Sequence, residues 1–583
     1  MVLILVCMAG VVSPAHGQTP QVQAKKEQAK PSNIKKTPPS VVPAKGETPP
    51  PLASVRTVIP SFDLDGAEYL LVAWSESGLT MVSDCDDRFS LGAPLTTLHA
   101  QLIKRGPSPK VVNSQVALTY AVEGLAAPSS KSRFWAFSQS LTGKALAPDT
   151  GPSGKTQRGT LDLSGLTYTA RDIPVMPYAP DGSFLPYPTV SVEARDPSTN
   201  RILAATRAVL PVSTQLGCAK CHGGAGAGPG LSQDTATRIL TAHDRNSGTS
   251  LLAQAKAGKP QACASCHAGG PTGSPAAGSL ALSASIHGFH AAKLAGKGAE
   301  ACGFCHAVDA PTRFSRDFHA RRGTDCVACH GFMEDHALAL LKAEQASGRA
   351  RAGAFMTLVV PRLAETPART ARAMQSDCSG CHDFTTRPTA ASRAFGKWAG
   401  GTAPLYRERP DLSGGLKCIA CHSPAHAVYP AASPLGRDRD NIQPIQYQGL
   451  AKSLGAGGNC KICHTVDMDR ATSVHHPLPK RIGLTVAVPQ GVDLRRPRVL
   501  FPHQAHAAED CRTCHHTGYV EGKALSCTTQ GCHDQPGADG KALYFRNAFH
   551  GPGASCNACH QARIKAGQPA GPVECGSCHI PGQ

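Results

Sequence analysis

The sequence predicts two unlike parts: an all-β, β-sandwich-like domain at residues 54–212, followed by a largely irregular and helical region with little regular secondary structure. Alternating apolar and polar residues, typical of half-buried strands, recur within 54–212. In contrast, 22 of the 24 cysteines lie after residue 212, in eleven closely spaced pairs. Only 41% of the 583 residues are apolar and 5% are aromatic, which is too little bulky apolar material for one large conventional core.

Short alternating segments carry the β prediction. Residues 69–74, 116–122 and 189–194 are expected to be strands. Residues 196–200, with the sequence Asp-Pro-Ser-Thr-Asn, favour a turn into a further strand at 202–206, and therefore a hairpin. Several short strands joined by Gly- and Pro-containing turns within about 160 residues are typical of a β-sandwich.

The N-terminal residues have the composition of export and linker sequences. An apolar run at 2–12, followed by Ala15-His16-Gly17, predicts a signal peptide at 1–17. Residues 18–53 combine Lys with many Pro, Gln and Ala, which is typical of a disordered, extended linker. No stretch reaches 18 consecutive apolar residues, so no integral membrane span is expected. We therefore expect an exported protein of the periplasm, the cell surface or the extracellular space.

Every cysteine pair after residue 212 is followed at once by histidine. Ten of the eleven motifs are Cys-x-x-Cys-His, and the ninth has four residues between its cysteines. In chain order, the cysteines of motifs one to eleven are Cys218 and Cys221, Cys263 and Cys266, Cys302 and Cys305, Cys326 and Cys329, Cys378 and Cys381, Cys418 and Cys421, Cys460 and Cys463, Cys511 and Cys514, Cys527 and Cys532, Cys556 and Cys559, and Cys575 and Cys578. Their histidines are His222, His267, His306, His330, His382, His422, His464, His515, His533, His560 and His579.

The Cys-x-x-Cys-His unit is typical of c-type haem attachment. Two thiols one short turn apart can each form a thioether with a vinyl group of the porphyrin, and the adjacent histidine can ligate the iron. Zinc sites and redox disulfides also use Cys-x-x-Cys, but neither requires histidine directly after the second cysteine. Eleven repeats make the signal specific, and eleven covalently attached haems c are predicted. Such cofactors supply the apolar surface that the composition lacks, so folding should depend on them.

Charge does not indicate nucleic-acid binding. The formal net charge is +18, but each ferric haem with two ionised propionates contributes about one negative charge, so eleven haems offset most of it. The basic side chains mainly balance the cofactors. The expected partners are redox proteins that donate or accept electrons, with other cytochromes and an outer-membrane porin as candidates.

The remaining histidines are expected to supply the second axial ligands of the haem irons. Twelve candidates serve eleven irons, which makes bis-histidine ligation the economical prediction. Outside this set, His99 is expected to be an ordinary residue of the β domain, and Cys85 a buried free thiol, with an intermolecular disulfide as its alternative. The twelve are His243, His287, His290, His319, His336, His426, His475, His476, His503, His506, His516 and His550.

From residue 501 onward the order of motifs is more specific. A His-x-x-His pair precedes motif eight, a histidine directly follows that motif, and the long motif nine comes next. Over about 80 residues this arrangement resembles the class III tetrahaem cytochromes c, although many relatives have a long last motif and this chain has a short one. The resemblance implies four ligand pairs, in which His503 completes the haem of His515, His516 that of His533, His506 that of His560, and His550 that of His579.

The spacing of the motifs divides the region into two parts. A seven-haem region is predicted at 213–482 and a class III-like tetrahaem domain at 495–583, separated by a strand-like spacer at 483–500. Within the first part, 334–345 is expected to be helical, and 430–457 is a Pro- and Gly-rich divider.

Bis-histidine iron has no open position for a substrate, so the sequence favours electron relay, in anaerobic or extracellular respiration, over catalysis. Two alternatives stay open. One is a multihaem reductase for nitrite, hydroxylamine or tetrathionate with one open haem, although no Cys-x-x-Cys-Lys motif occurs. The other is a subunit of an extracellular haem filament or outer-membrane conduit.

Overall fold

A computed structural model describes most of the chain from residue 58 onward. The predicted signal peptide, the linker, Cys85 and motif five lie outside the described residues. The described residues are 58–83, 86–223, 233–268, 274–306, 325–369, 405–426, 440–468, 475, 483–489, 492, 494, 496–502, 506, 509, 511–516, 519–520, 523–524, 526–537, 541, 543–553 and 555–579.

Strands dominate the chain up to residue 213, as the alternating segments predict. The predicted strands and the hairpin at 196–200 are confirmed, since Asn200 N donates to Asp196 O at 2.8 Å within that turn. The strands are β1 Tyr69–Ser75, β2 Thr80–Met81, β3 Phe89–Ser90, β4 Leu95–Lys104, β5 Lys110–Val112, β6 Ala117–Glu123, β7 Arg158–Ser164, β8 Thr167–Pro174, β9 Thr189–Arg195, β10 Ile202–Val209 and β11 Val212–Ser213.

Eight of these strands form a single antiparallel sheet with the order β1-β4-β8-β7-β6-β9-β10, and β5 pairs with β4. The sheet curves until its two end strands, β1 and β10, lie beside each other. A register shift between Thr96 and Leu98, where β4 pairs with β8, adds local twist. The all-β prediction is confirmed, and the arrangement is a near-closed barrel because continuous pairing joins the strands that a sandwich would divide between two sheets.

Strand β1 is apolar on both faces because it separates two cores. Leu71 and Ala73 point into the barrel, where they pack with Leu98, Leu118 and other inward residues. Leu70, Val72 and Trp74, on the opposite face, pack against Ile419, Tyr447 and Ile462 of the motif region. Successive side chains of β1 therefore do point to opposite faces of the sheet, but both faces are buried.

After β11 the described chain is largely helical or irregular, as predicted. The expected helix at 334–345 is confirmed by Met333–Ala346. With α1 at Ser138–Thr142 in the β domain, the further helices are α2 Ala219–His222, α3 Gln233–Ser247, α4 Leu251–Lys256, α5 Cys263–Cys266, α6 Leu282–Ala291, α7 Glu300–Gly303, α8 Cys326–His330, α9 Met333–Ala346, α10 Arg351–Met356, α11 Cys418–His422, α12 Ile442–Gln448, α13 Cys511–Cys514, α14 Asn547–His550, α15 Cys556–Lys565 and α16 Cys575–Cys578. Within the described ranges no helix is long and apolar enough to cross a membrane.

Short strands also occur among these helices. Strand β12 pairs with β3 of the barrel in parallel, just before motif two. Two further ladders are antiparallel, β13 with β14 and β15 with β16. These strands are β12 Gln261–Ala262, β13 Gly483–Thr485, β14 Leu500–Pro502, β15 Tyr519–Val520 and β16 Lys523–Ala524.

Helix α12 closes the seam between β1 and β10, although the Pro- and Gly-rich composition of its surroundings predicts no helix. Gln443 accepts from Ala73 N at 2.9 Å and donates to Ala73 O at 2.6 Å, so it pairs with β1 as a neighbouring strand would. On the other side, Gln446 accepts from Thr206 Oγ1 at 2.7 Å in β10. Gly449, with a φ of 66°, ends the helix in the left-handed conformation that glycine adopts readily.

Replacing Gln443 by alanine should loosen this seam. The substitution removes the partners of the buried backbone N–H and C=O groups of Ala73. Each buried polar group left without a partner costs about 1–3 kcal/mol. We expect faster amide hydrogen exchange in β1 and α12 of the holoprotein. The control is Gln139→Ala, which removes a hydrogen bond to Gly143 O on the exposed surface. Unchanged exchange in β1 of the Gln443 variant would contradict a seam-closing role.

Candidate functional site

Motif cysteines are brought to one side of a single helical turn. Helices α5, α8, α11, α13, α15 and α16 each begin at the first cysteine of a motif. Residues three apart in a helix lie on the same face, so both sulfur atoms can reach one planar group. The residue before the motif caps two of these helices: Asp325 accepts from Ala328 N at 3.1 Å, and Ser555 accepts from Ala558 N at 3.2 Å.

At least eight motif histidines face the ring of a second histidine from outside the motifs. All eight partners are among the twelve candidate distal ligands. The ring centres are 6.5 Å apart for His222 and His290, 6.3 Å for His267 and His243, 6.3 Å for His306 and His287, 6.0 Å for His330 and His426, 6.2 Å for His464 and His475, 6.0 Å for His533 and His516, 5.9 Å for His560 and His506, and 6.2 Å for His579 and His550.

This spacing fits one metal ion between two imidazoles. A bond from a metal to an imidazole nitrogen is about 2 Å long, so rings on opposite sides of one ion have centres roughly 6 Å apart. Direct packing of two rings does not require so uniform a distance in eight places. The residues present therefore fit a six-coordinate haem iron at each of these pairs.

Hydrogen bonds at Nδ1 orient many of these rings. His267 Nδ1 lies 2.7 Å from Leu280 O, and His290 Nδ1 lies 2.8 Å from Ile286 O. His579 Nδ1 lies 2.7 Å from Pro497 O. A carbonyl only accepts, so Nδ1 carries the proton and Nε2 keeps its lone pair for a metal. Such partners fix both the tautomer and the orientation of a ligating ring.

His336 differs from the paired histidines. It is buried, and its ring lies between two sites, 4.5 Å from the ring of His287 and 5.8 Å from that of His330. Its Nδ1 lies 3.2 Å from Nη2 of Arg369. A guanidinium only donates, so this Nδ1 accepts, and the proton of the neutral ring lies on Nε2. The tautomer is the opposite of the one that presents Nε2 to a metal.

Burial keeps the rings of His287, His330 and His336 neutral. It lowers the pKa of His287 to about 4 and that of His330 to about 3. The pKa of His336 also lies well below its usual range, because of burial first and then the neighbouring His287 and Arg369. A neutral imidazole is the form that binds a metal, so these sites need no deprotonation near neutral pH.

Motifs one, three and four lie next to one another. Helix α6 carries two rings one turn apart, and they face different motifs: His290 faces His222, and His287 faces His306. Gly217 N, beside motif one, donates to Cys305 O of motif three at 3.0 Å.

Motif three also lies beside motif four, because the ring of His336 contacts both His287, which faces motif three, and His330 of motif four. With His336 in contact with rings on both sides, the sites at these two motifs are direct neighbours.

The barrel holds motif seven. Arg105 Nε donates to Ile462 O at 2.9 Å, and Gly106 N donates to Cys463 O at 3.2 Å. His464 Nδ1 lies 3.2 Å from Pro107 O. The backbone that follows β4 therefore orients the ring of His464.

Beside motif six, a cavity is lined by Trp74, Asp440, Cys421 and Ser423, among others. The indole nitrogen Nε1 of Trp74 is buried, and no hydrogen-bond partner for it lies within the described residues. A donor of this kind fits a cofactor that carries acceptor oxygen atoms, as the propionates of haem do.

In the C-terminal region, three of the four ligand pairs that the family resemblance implies have their rings opposite each other, those of His533, His560 and His579. His503, implied as the partner of His515, lies outside the described residues. So do His319, His382 and His476. His422 and His515 are described, and the Nδ1 of His422 lies 3.2 Å from Ser453 Oγ.

Sequence reasoning misses the residues outside the motifs that lie beside the sites. Arg105, Asp411 and Trp74 carry no motif, and only the folded chain brings them beside one. His99, treated as an ordinary residue, lies in β4 with Nδ1 2.8 Å from Thr169 Oγ1.

Repeated attachment motifs whose histidines lie opposite a second imidazole are the arrangement of a multihaem c-type cytochrome. A family model described as the class III cytochrome c family matches residues 484–579. The chain belongs to this family of electron-transfer proteins through that region, which confirms the resemblance at the C-terminus. Class III cytochromes c are typically periplasmic.

Individual relatives match the same kind of domain. Cytochrome c3 of Maridesulfovibrio salexigens is 36% identical over 99 residues, which is 16% of this chain and 91% of the relative. Cytochrome c3 of Desulfovibrio desulfuricans is 33% identical over 98 residues, again 16% and 91%. The high-molecular-weight cytochrome c of Nitratidesulfovibrio vulgaris is 31% identical over 163 residues, or 23% of this chain and 28% of the relative.

Proposed function

We propose that the chain relays electrons through eleven covalently attached haems, each ligated by two histidines. The observation that carries this proposal is the set of eight histidine pairs with ring centres 5.9–6.5 Å apart. Bound haem supplies an iron that exchanges one electron between its ferric and ferrous states. The chain's own residues hold an imidazole on each side, which leaves no axial position for a reactant.

The ligating rings are held rigidly, which suits electron transfer. Carbonyl oxygen atoms fix the Nδ1 protons of His267, His290 and His579, so a change in oxidation state need not move these rings. Neighbouring sites are close, as the contacts of the His336 ring with His287 and His330 indicate. Rigid ligands at successive close sites are what a relay requires.

The number of candidate distal histidines supports two histidine ligands at each of eleven haems. Eight of the twelve candidates face motif histidines, and the tautomer of His336 argues against ligation. Three candidates then remain for the three other motifs. The family resemblance assigns His503 to the haem of His515. His319 and His476 are then the distal ligands of the haems of His382 and His422, in either order.

Reductase activity is the principal rival. A multihaem reductase needs one iron with an open face, and the pairing at eight motifs limits such a site to the haems of His382, His422 and His515. Export to the periplasm or cell surface, a role in anaerobic or extracellular respiration, and redox-protein partners such as other cytochromes or an outer-membrane porin complete the proposal. A filament or conduit subunit stays the third alternative.

Spectroscopy of the purified holoprotein tests the relay. We expect a mass that corresponds to eleven haems, a ferric electron paramagnetic resonance spectrum of low-spin iron, and no stoichiometric binding of carbon monoxide after reduction. Covalent attachment at eleven motifs produces the mass, and two axial nitrogen ligands produce the other two results. A high-spin signal of one haem per molecule, with one carbon monoxide bound, would establish an open iron and favour the reductase. A strictly monomeric species in solution removes the filament alternative.

A further inference from the structure

The ring of His475 has an unusual partner. Its Nδ1 lies 2.7 Å from Oδ2 of Asp411, a carboxylate, whereas His267, His290 and His579 face neutral carbonyl groups. His475 is also the ring opposite His464 of motif seven, with centres 6.2 Å apart. A negative charge is therefore applied directly to one side of one proposed haem site.

Asp411 is built to keep this position. Its side chain is 8% exposed. Its other oxygen, Oδ1, accepts from Ser413 Oγ at 2.6 Å, from Gly415 N at 3.2 Å and from Leu416 N at 3.3 Å. These donors stabilise the charged carboxylate and fix its orientation.

The backbone holds the histidine against the same turn. Leu412 N donates to His475 O at 3.0 Å, and Asp411 N donates to Leu416 O at 2.7 Å. This turn directly precedes motif six, yet it reaches a ring that faces motif seven. The contact is therefore a product of the tertiary fold, held at both the side chain and the backbone.

We propose that Asp411 lowers the reduction potential of the haem attached at Cys460 and Cys463. A carboxylate that accepts the Nδ1 proton raises the basicity of the ligating ring, which stabilises ferric over ferrous iron. The electron that reduces this iron comes from the redox partner and meets an added negative charge nearby. Asp411 is a positioning residue, because it acts through His475. The inference rests on the bis-histidine ligation proposed above.

The test uses the full-length holoprotein with Asp411→Asn. This near-isosteric change removes the charge and leaves an amide oxygen for Nδ1. Potentiometric titration of the haem absorbance should show about one-eleventh of the amplitude moved to higher potential. The ferric electron paramagnetic resonance spectrum should show one low-spin species with larger g anisotropy, as expected for a less basic imidazole.

A matched control and a second variant keep the test decisive. Asp196→Asn removes the same charge from an exposed turn of the barrel, so it measures the remote effect of lost charge. If Asp411→Asn does not assemble, Ser413→Ala replaces it. Loss of that donor leaves more of the negative charge on the oxygen that faces His475, and the same haem should move to lower potential.

The results separate this inference from the proposed function. His475→Ala should create one high-spin, carbon monoxide-binding haem, because it removes the ligand itself. Suppose that His475→Ala creates this open haem, while the haem titration of Asp411→Asn is the same as that of Asp196→Asn. The ligation by His475 is then supported, and the role of Asp411 is refuted. If His475→Ala leaves every haem low-spin, the ligand assignment at motif seven is refuted.

Discussion

Replacing His426 by alanine is expected to convert one haem from low-spin to high-spin and to create one carbon monoxide site per molecule. Among the described residues, two rings from outside the motifs lie near His330: His426 at 6.0 Å and His336 at 5.8 Å. Distance alone does not decide between them. The Nδ1 of His336 accepts from Arg369, so its Nε2 carries the proton and lacks a free lone pair for iron.

His336→Gln is the matched comparison, because glutamine keeps an acceptor for Arg369 and removes the imidazole. We expect this variant to bind no carbon monoxide and to retain only low-spin haem. Mass spectrometry should show the same haem content in both variants, since neither change touches a cysteine. The opposite pattern, with an open iron in His336→Gln and none in His426→Ala, would make His336 the ligand and refute the argument from its tautomer.

Expression of the chain without haem attachment should leave only the barrel folded. The motif helices α5, α8, α11, α13 and α16 are one turn long, and isolated helices shorter than about 12 residues are marginal in water. The barrel has its own core, formed entirely by residues between Leu71 and Val212. Limited proteolysis of the haem-free chain should therefore yield a protected fragment close to 58–213 and digest the remainder.

The holoprotein, treated in the same way, is the control and should resist digestion beyond residue 213. In the haem-free chain, the outward face of β1, with Leu70, Val72 and Trp74, loses its cover. The fragment should then bind a dye that reports exposed apolar surface. Equal protection of 213–583 with and without haem would refute the dependence, and complete digestion of the barrel would refute its independence.

The repeated motif is sufficient to indicate the chemistry. Two thiols and a histidine in eleven copies are a local pattern, and a local pattern can be read directly from residue order. The strands at 69–74 and 189–194 are also predictable, since alternation reports which side of a strand is buried. Helix α12 is not predictable from the sequence, because Pro444 and the surrounding Gly and Pro residues disfavour a helix. Packing against the barrel stabilises it.

The choice of distal ligand cannot be predicted from the sequence alone. The eight candidate histidines before residue 501 are not told apart by the sequence, and the contact with Arg369 distinguishes His336 from the paired rings. Arg369 and His336 are 33 residues apart, and no spacing rule predicts that this guanidinium donates to this ring.

Residue order alone establishes that this chain carries c-type haem motifs in number, has a class III cytochrome c domain in its last hundred residues and places a β domain ahead of the motifs. Folding alone decides that the β domain is a barrel whose seam is closed by a helix from the haem region, and that Asp411 lies against His475. Covalent attachment and alternation depend on near neighbours in the chain. Ligand choice and tuning depend on contacts between distant segments, which the energy of the whole packed molecule selects.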